Sequence, residues 1–438
     1  MQRNIGDPLN LSNVHTGRVA WFRFGVCCKR VYERCAKRGS LNSEKNPVTA
    51  SRSLPISLGL LWLVGTALRL SILAVPPVIP ALRGEFNLSG TEIGILTGLP
   101  IVLFAAAALA GSRLVARIGA VPAVVAGLLL TAVGSALRGI ASDVTTLFAA
   151  TAVMGAGVAV TQPALPALVG RWLPHRIGLG TGIYTNGLLV GEILPVLLFP
   201  LLFPLVGASW RATFVLWAVP IAAIALLVMA VAPRDTSARI VIAPRWLPDW
   251  PARDIFRLGL IFGSASALYY AGNAFLPGHL IEAGHSDLIN PALTALNLGQ
   301  LPASFVLIAF GRQLERRVWP FVVTGVLSLI CIALIVVTAS AVTVASTAVF
   351  GFAIGAAFAL CLTLPPLLST SGEVARVSAA MFTISYASAM GVSILSGVAW
   401  DVTGVERFAF LPIALSALPL ILLVSTIGFD RKAADAQG

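Results

Sequence analysis

The sequence predicts an all-α membrane protein whose twelve transmembrane helices form two six-helix halves. Hydrophobic residues make up 57% of the 438 residues and charged residues only 11%, whereas soluble domains average about 25% charged residues. The apolar residues come in blocks long enough to cross a hydrocarbon core of about 30 Å at about 1.5 Å per residue. Backbone groups in lipid must be hydrogen-bonded internally, so blocks of this length are helices and not strands.

The apolar blocks and the polar residues between them define the helices in order. We predict spans at residues 56–80, 91–112, 121–139, 144–168, 177–201, 211–232, 257–281, 290–311, 319–339, 342–369, 375–399 and 405–428. The 40 glycines and 27 prolines are compatible with this prediction, because transmembrane helices tolerate both and pack closely through small residues. In the predicted fifth helix, Gly187-x3-Gly191 is such a close-packing pattern.

Residues 1–52 form a basic segment that we predict to be a disordered cytoplasmic tail. It holds ten of the chain's thirty Lys and Arg residues, and contact with anionic lipid headgroups explains this charge more simply than nucleic-acid binding does. The spacing of Cys27, Cys28 and Cys35 matches no zinc template, and no cleavable signal pattern is present. A translation start near Pro47 stays open as an alternative.

The loop charges predict the orientation. If the first helix begins inside, the inner loops and the C-terminal segment collect fifteen Lys and Arg residues, and the outer segments collect only Arg83, Arg138, Arg211 and Arg407. The positive-inside rule then places both termini in the cytoplasm. We predict that the protein lies in the inner (plasma) membrane.

The longest loop, residues 233–256, divides the chain into an N-terminal half, 53–232, and a C-terminal half, 257–430, followed by a cytoplasmic tail at 431–438. The halves show a weak internal repeat. Gly111, Leu114 and Arg117 follow predicted helix 2, and Gly311, Leu314 and Arg317 recur at the same offsets after predicted helix 8. Two parallel six-helix halves are a transporter architecture.

The sequence resembles the major facilitator superfamily across residues 53–430. Leu114-Val-Ala-Arg117-Ile-Gly119 resembles the family's signature loop, with Ala116 in place of the usual Asp. A finer resemblance to the cyanate-permease-like branch lies in Leu68-Arg69 followed by Pro80, Gly157-Val-Ala-Val-Thr-Gln162-Pro-Ala-Leu-Pro166, Ser266-x2-Tyr269-Tyr270 with Phe275-Leu-Pro277, and Asp401-x-Thr-Gly404. The chain departs from that branch at Gln162 (usually Asn) and Phe275 (usually Trp). The resemblance implies a secondary transporter of small molecules, with Arg113, Arg117 and Arg317 in the gating loops.

Two ionisable side chains are predicted deep in the membrane, Arg69 in helix 1 and Glu192 in helix 5. A charge at a helix centre costs about 2.5–3.5 kcal/mol on insertion scales, so each should face a cavity and find a partner. Counting residues from the inner helix ends gives depths that differ by only about 3–4 Å, and the resemblance makes the two helices neighbours. We therefore expect direct contact.

Two interpretations of this pair remain open. In one, the pair is a structural link between helices. In the other, Arg69 anchors an anionic substrate through its planar fork of donors, and Glu192 is its resting counter-ion or a proton carrier. Further substrate-binding candidates are polar side chains within apolar helices, each of which could equally form an interhelical hydrogen bond: Gln162, Asn186, Tyr270, Asn273, Asn297 and Tyr386.

Other functional classes have little support. The four histidines have no ligand spacing to Cys or acidic residues, so no metal site is expected. The chain has no glycine-rich phosphate loop, and no cofactor is expected. We predict a monomer in the lipid bilayer that takes up a small anion or polar organic solute with a proton. Export of hydrophobic compounds is the main alternative, ahead of a membrane enzyme, a channel or a sensor.

Overall fold

The structure, a computed structural model, describes residues 47–173, 176–232, 251–314, 317–338, 340–368 and 374–427. The chain divides into two compact units, Met1–Ile56 and Ser57–Gly438. The described residues of the first unit are helical, and the second unit contains the other helices. Residues 1–46, 233–250 and 428–438 lie outside the described part, so most of the tails and of the linker stay predictions, whereas residues 47–52 of the predicted tail belong to a helix.

Within these ranges, fifteen α-helices follow one another along the chain and group into twelve spans, as the sequence predicts. Their bounds are α1a (Pro47–Leu73) and α1b (Ile79–Phe86), α2 (Gly90–Ile118), α3 (Ala120–Arg138), α4 (Val144–Trp172), α5a (Ile177–Leu197) and α5b (Phe199–Leu205), α6 (Trp210–Val231), α7 (Ala252–Glu282), α8 (Ile289–Leu314), α9 (Trp319–Val337), α10 (Ala341–Leu368), α11 (Val374–Thr403), and α12a (Phe410–Leu415) and α12b (Leu418–Leu422). No strand occurs among the described residues.

Three predicted spans contain an interruption, and the first of them runs as one span over Leu54–Phe86 with a short break in its helix. Pro76 and Pro77 lack the N–H groups that would continue α1a, so the chain passes through a 3-10 turn at Pro76–Val78 before α1b begins. The fifth span bends by 54° between α5a and α5b, and the twelfth is divided into α12a and α12b. The seventh span is continuous but begins at Ala252, earlier than predicted.

Eight spans among the described residues are long and apolar enough to cross a membrane, and the bent α5a–α5b pair makes a ninth. The other three spans are α2, α7 and α8. α2 is apolar over Gly90–Phe104, and α7 and α8 carry buried polar side chains, among them Tyr269, Asn273 and Asn297.

Small residues bring α1a and α5a into close contact. A Cβ atom at Gly187 would overlap the Trp62 carbonyl oxygen, and one at Gly191 would overlap that of Thr66. On the facing helix, Gly65 is equally close to the carbonyl of Tyr184. The predicted close-packing role of Gly187-x3-Gly191 is confirmed, and this packing places Arg69 and Glu192 side by side.

The end of the bundle that carries the α1–α2 and α7–α8 connections, called here the α1–α2 end, is closed by contacts between the halves. Asp401 of α11 accepts hydrogen bonds from the backbone N–H groups of Gly90 (2.6 Å) and Thr91 (2.8 Å), the first residues of α2. It also accepts one from the Thr91 hydroxyl. A carboxylate from one half thus caps a helix of the other half, where the helix dipole favours negative charge.

Arg83 of α1b makes a second contact across the same end. It forms an ion pair with the buried Glu406, and its Cζ lies 4.2 Å from the centre of the Trp400 ring. The Glu406 backbone N–H donates to Glu282 of α7 (2.7 Å). The second piece of the first span, α1b, therefore contacts the C-terminal half.

Candidate functional site

The site is built around Arg69, four residues before the end of α1a. The side chain is buried, with 3% of the residue exposed. Its Nε lies 3.4 Å from Oε1 of Glu192 in α5a, so the contact expected from the sequence is present. Its Nη1 donates to the hydroxyl of Tyr270 in α7. Arg69 thereby joins the two halves as well as two helices of its own half.

Aromatic rings complete the surroundings of the Arg69 side chain. The Phe104 ring of α2 has its centre 5.8 Å from the Arg69 Cζ, within the range of cation–π attraction. Tyr386 of α11 packs edge-on against Phe104 at 5.6 Å. The Tyr386 hydroxyl is buried and has no hydrogen-bond partner among the described residues. We call Arg69, Phe104, Glu192, Tyr270 and Tyr386 the central cluster.

A second polar group links α7 to α8. The Tyr269 hydroxyl donates to Asn297 Oδ1 (2.7 Å), and Asn297 Nδ2 donates to Asn273 Oδ1 (2.9 Å). Asn273 Nδ2 in turn donates to the Tyr269 carbonyl (2.9 Å). The Tyr270 and Asn273 side chains therefore serve different networks, although their spacing puts them on one face. Substrate binding by Asn273 and Asn297 stays a prediction.

The remaining polar candidates lie outside these two networks. Asn186 is exposed and accepts a hydrogen bond from Trp62 Nε1 (2.9 Å), which joins α5a to α1a. Gln162 of α4 has a buried Oε1 without a hydrogen-bond partner among the described residues. An unsatisfied buried acceptor is compatible with a ligand contact, and the role of Gln162 also stays a prediction.

The gating-loop arginines lie at the opposite end of the bundle. Arg117 at the end of α2 and Arg317 before α9 are exposed. The side chain of Arg113 lies outside the described residues. The end that the structure shows in detail is therefore the α1–α2 end, closed by Asp401 and Arg83.

Sequence reasoning missed three parts of this arrangement. The loop charges place Arg138 among the outer segments, yet its side chain is fully buried beside α1a; a position at a helix end does not show that the side chain turns inward. Phe104 is one of 21 phenylalanines and has no distinguishing sequence signal. Asp401 belongs to a sequence motif, but its capping of α2 depends on tertiary packing.

No group of three or more His, Cys, Asp or Glu residues with metal-binding proximity occurs among the described residues. The side chains of the central cluster suit a binding site for an anion. A guanidinium with two terminal nitrogens is held in a low-dielectric setting beside one carboxylate and two tyrosine hydroxyls. Such a group attracts an anion with planar acceptors strongly, because the interaction is little screened there.

Helices in two halves around a buried polar centre define a membrane transporter. The family model described as the Major Facilitator Superfamily matches residues 61–393, and the chain belongs to this family. Its members and the relatives below are transporters and not enzymes.

Two relatives from Escherichia coli (strain K12) are similar over much of their length. The chain is 30% identical to Cyanate transport protein CynX over 310 residues, 69% of this chain and 79% of that protein. It is 26% identical to a 2-nitroimidazole transporter over 400 residues, 84% of this chain and 94% of that protein. Membership of the cyanate-permease-like group is thus confirmed.

Solved structures share the fold. The D-xylose-proton symporter superposes with a TM-score of 0.67 at 13% identity, covering 86% of this chain and 98% of the symporter. A bacterial homologue of the human lysosomal transporter Spinster gives a TM-score of 0.63 at 16% identity, covering 89% and 96% of the two chains. These likenesses confirm the twelve-helix fold.

Proposed function

We propose that this transporter carries a small anion or small polar organic solute by alternating access, coupled to a proton, with Arg69 as the anion anchor. The observation that supports this most is the position of Arg69. It is a permanent cation, it is buried where the two halves meet, and its contacts reach α2, α5a and α7 at once.

Glu192 is the resting counter-ion in this proposal. An arriving anion competes with the Glu192 carboxylate for the guanidinium. A carboxylate released from its cation in a low-dielectric site favours its neutral form, so Glu192 takes up a proton as the anion binds. Substrate anion and proton then cross together, and the net charge of the loaded site stays unchanged.

The proposed orientation follows from the loop charges, with both termini in the cytoplasm and the protein a monomer in the inner membrane. The closed α1–α2 end then faces outward. Alternating access requires this end to open, so the contacts of Asp401 and Arg83 belong to the outer gate.

The names of the relatives suggest the first compounds to try. Cyanate is a small anion that suits a guanidinium, and 2-nitroimidazole is a planar polar ring that suits a site with aromatic walls. Each name describes the relative alone, and both compounds serve here as probes.

Export of hydrophobic compounds is the second candidate, because a row of aromatic rings continues from the central cluster. Tyr386 packs on Phe382 at 5.7 Å, Phe382 on Phe262 at 5.0 Å, and Phe262 on Phe358 at 4.9 Å. This row is apolar and lies in the C-terminal half, where a bulky ring system could bind without using Arg69.

A binding screen distinguishes the candidates. The purified protein is heated with cyanate, other small anions, 2-nitroimidazole or amphiphilic drugs, and the melting temperature is recorded. We expect stabilisation by a small anion or polar solute, followed by saturable uptake into proteoliposomes that an inward proton gradient accelerates. Stabilisation by amphiphilic drugs alone, with no response to any small anion or polar solute, would favour the exporter.

A further inference from the structure

Arg138 is a buried cation without a carboxylate partner among the described residues. Its residue exposure is 0%, and its Nε and Nη1 atoms have no hydrogen-bond partner there. An isolated charge in a low-dielectric interior is strongly unfavourable unless other groups compensate it. The compensation must therefore come from dipoles, and the nearest ones belong to the broken end of α1a.

The break in the first span leaves a carbonyl group free at Ser71. In a continuous helix this carbonyl would accept from the N–H of Val75, but Val75 donates instead to Ile72 (3.3 Å). Arg138 Nη2 takes its place by donating to the Ser71 carbonyl (2.8 Å) and also to the Ser71 hydroxyl. The C-terminal end of a helix carries partial negative charge, so a cation is stabilised there.

Arg138 is also held by contacts on the side that faces away from α1a. Its Cζ lies 4.2 Å from the centre of the Phe214 ring of α6, a distance that favours cation–π attraction. Ser135, one turn earlier in α3, donates to the Phe214 carbonyl (3.1 Å) and lies 3.4 Å from Arg138 Nη2. The guanidinium is fixed between α3 and α6 and in turn fixes the end of α1a.

Ser71 stands two residues after Arg69, within the same last turn of α1a. Beyond the break, α1b carries Arg83 into the contacts at the α1–α2 end. We propose that Arg138 is a positioning residue: by capping the broken end of α1a, it holds Arg69 against Glu192 and confines bending of the first span to residues 74–78. This inference rests on the proposed function only for its consequence, the anion site; the positioning itself can be tested without a substrate.

The test compares melting temperatures of the full-length protein in detergent for wild type, Arg138→Met, Glu192→Gln and the double variant. Arg138→Met removes a buried charge at similar volume, and because Arg138 has no carboxylate partner among the described residues, no opposite charge is left unpaired and the variant should fold. If Arg138 positions Arg69, the pair is already loosened in Arg138→Met. The shift caused by Glu192→Gln should then fall to about half of its wild-type size, since coupled residues are not additive.

Arg211→Met is the matched control, because Arg211 holds the other piece of the first span. It pairs with Glu85 of α1b (2.7 Å) at the surface, and its effect should add to that of Glu192→Gln. Arg138→Lys keeps a charged donor for the Ser71 carbonyl and should restore part of the coupling.

Additive shifts for Arg138→Met, or no shift from Glu192→Gln in the wild-type background, would overturn the inference. If Arg138→Met does not fold, Ser71→Ala replaces it in the same cycle, and hydrogen exchange of residues 66–75 is measured as well. Unchanged exchange of these residues in Ser71→Ala, together with additive melting-temperature shifts of Ser71→Ala and Glu192→Gln, would overturn the inference. Failure of the anion-anchor proposal would appear separately, as unchanged transport by an Arg69 variant.

Discussion

At the scale of single residues, the polar side chains of the central cluster differ in whether they have a hydrogen-bond or ion-pair partner. Arg69 is engaged by Glu192 and Tyr270, whereas the Tyr386 hydroxyl is unpartnered among the described residues. Buried polar groups are normally satisfied, so the unpartnered Tyr386 hydroxyl is compatible with contact to a ligand or a water. In our proposal the paired groups contribute to stability, and the Tyr386 hydroxyl is available to the substrate.

Glu192→Gln tests the proton step. We expect the variant to lose accumulation against a gradient yet to keep counterflow exchange, because binding survives when the carboxylate can no longer carry a proton. Its melting temperature should also fall, since breaking a buried ion pair leaves Arg69 unpaired and costs roughly 3–5 kcal/mol. Both transport modes are measured in proteoliposomes. Undiminished accumulation would exclude Glu192 as the proton carrier.

Two tyrosine variants separate binding from stability. Tyr386→Phe removes a hydroxyl without a described partner, so the melting temperature should stay unchanged while the affinity for the substrate decreases. Tyr269→Phe leaves the buried Asn297 oxygen without its donor, which costs about 1–3 kcal/mol, so this variant should melt earlier. Thermal denaturation with and without substrate measures both effects. A substrate affinity unaffected by Tyr386→Phe would remove Tyr386 from the site.

At the scale of helices, part of the arrangement was predictable from sequence and part was not. Residue counting along predicted helices gave the depths of Arg69 and Glu192, and the Gly187-x3-Gly191 pattern indicated close packing, because both depend only on local spacing. The partner of Arg138 and the cap supplied by Asp401 come from helices distant in the chain. Hydropathy distinguishes a buried helix from a loop, but it does not show in which direction a terminal arginine points.

Gly191→Ala tests the contact between α1a and α5a that brings Arg69 and Glu192 together. A Cβ atom at this position would meet the Thr66 carbonyl oxygen of α1a, so the helices must separate, at a cost of about 1–3 kcal/mol. We expect a lower melting temperature and weaker substrate binding. Gly182→Ala in the same helix is the control, because a Cβ atom there would have no neighbour within 4 Å. Equal behaviour of the two variants would show that the close approach is unimportant.

At the scale of the whole molecule, two contacts hold the halves together at the α1–α2 end. Asp401 of α11 accepts a hydrogen bond from the N-terminus of α2, and Arg83 of α1b forms an ion pair with Glu406. Both contacts cross between the halves, and both must break if that end opens. The same structure therefore places the central cluster beneath a closed outer gate in the proposed orientation.

Asp401→Asn should shift the population towards an open outer end. The amide loses the charge that suits the α2 N-terminus, and a change of about 1.4 kcal/mol corresponds to roughly tenfold in the equilibrium. A cysteine at Met390, which packs against Gly98 of α2, reports opening through its labelling rate with a membrane-impermeant maleimide, all native cysteines having been replaced.

Asp143→Asn is the matched control for this change. Asp143 caps α4 through the Thr146 backbone N–H (2.8 Å) within the N-terminal half, so its loss should leave the labelling rate unchanged. Equal rates for Asp401→Asn and wild type would contradict an outer gate held by Asp401.

The central claim, that Arg69 anchors an anionic substrate, is tested most directly by uptake through Arg69→Ala and Arg69→Lys in proteoliposomes. Cyanate is the first probe, joined by any anion from the binding screen, and Arg257→Ala is a control that changes an arginine paired with Asp254 on its own helix. We expect Arg69→Ala to abolish uptake while the folded protein remains in the membrane, and Arg69→Lys to restore little, because lysine keeps the charge but lacks the planar fork. Wild-type rate and affinity in Arg69→Ala would contradict the claim and leave the Arg69–Glu192 pair a structural one.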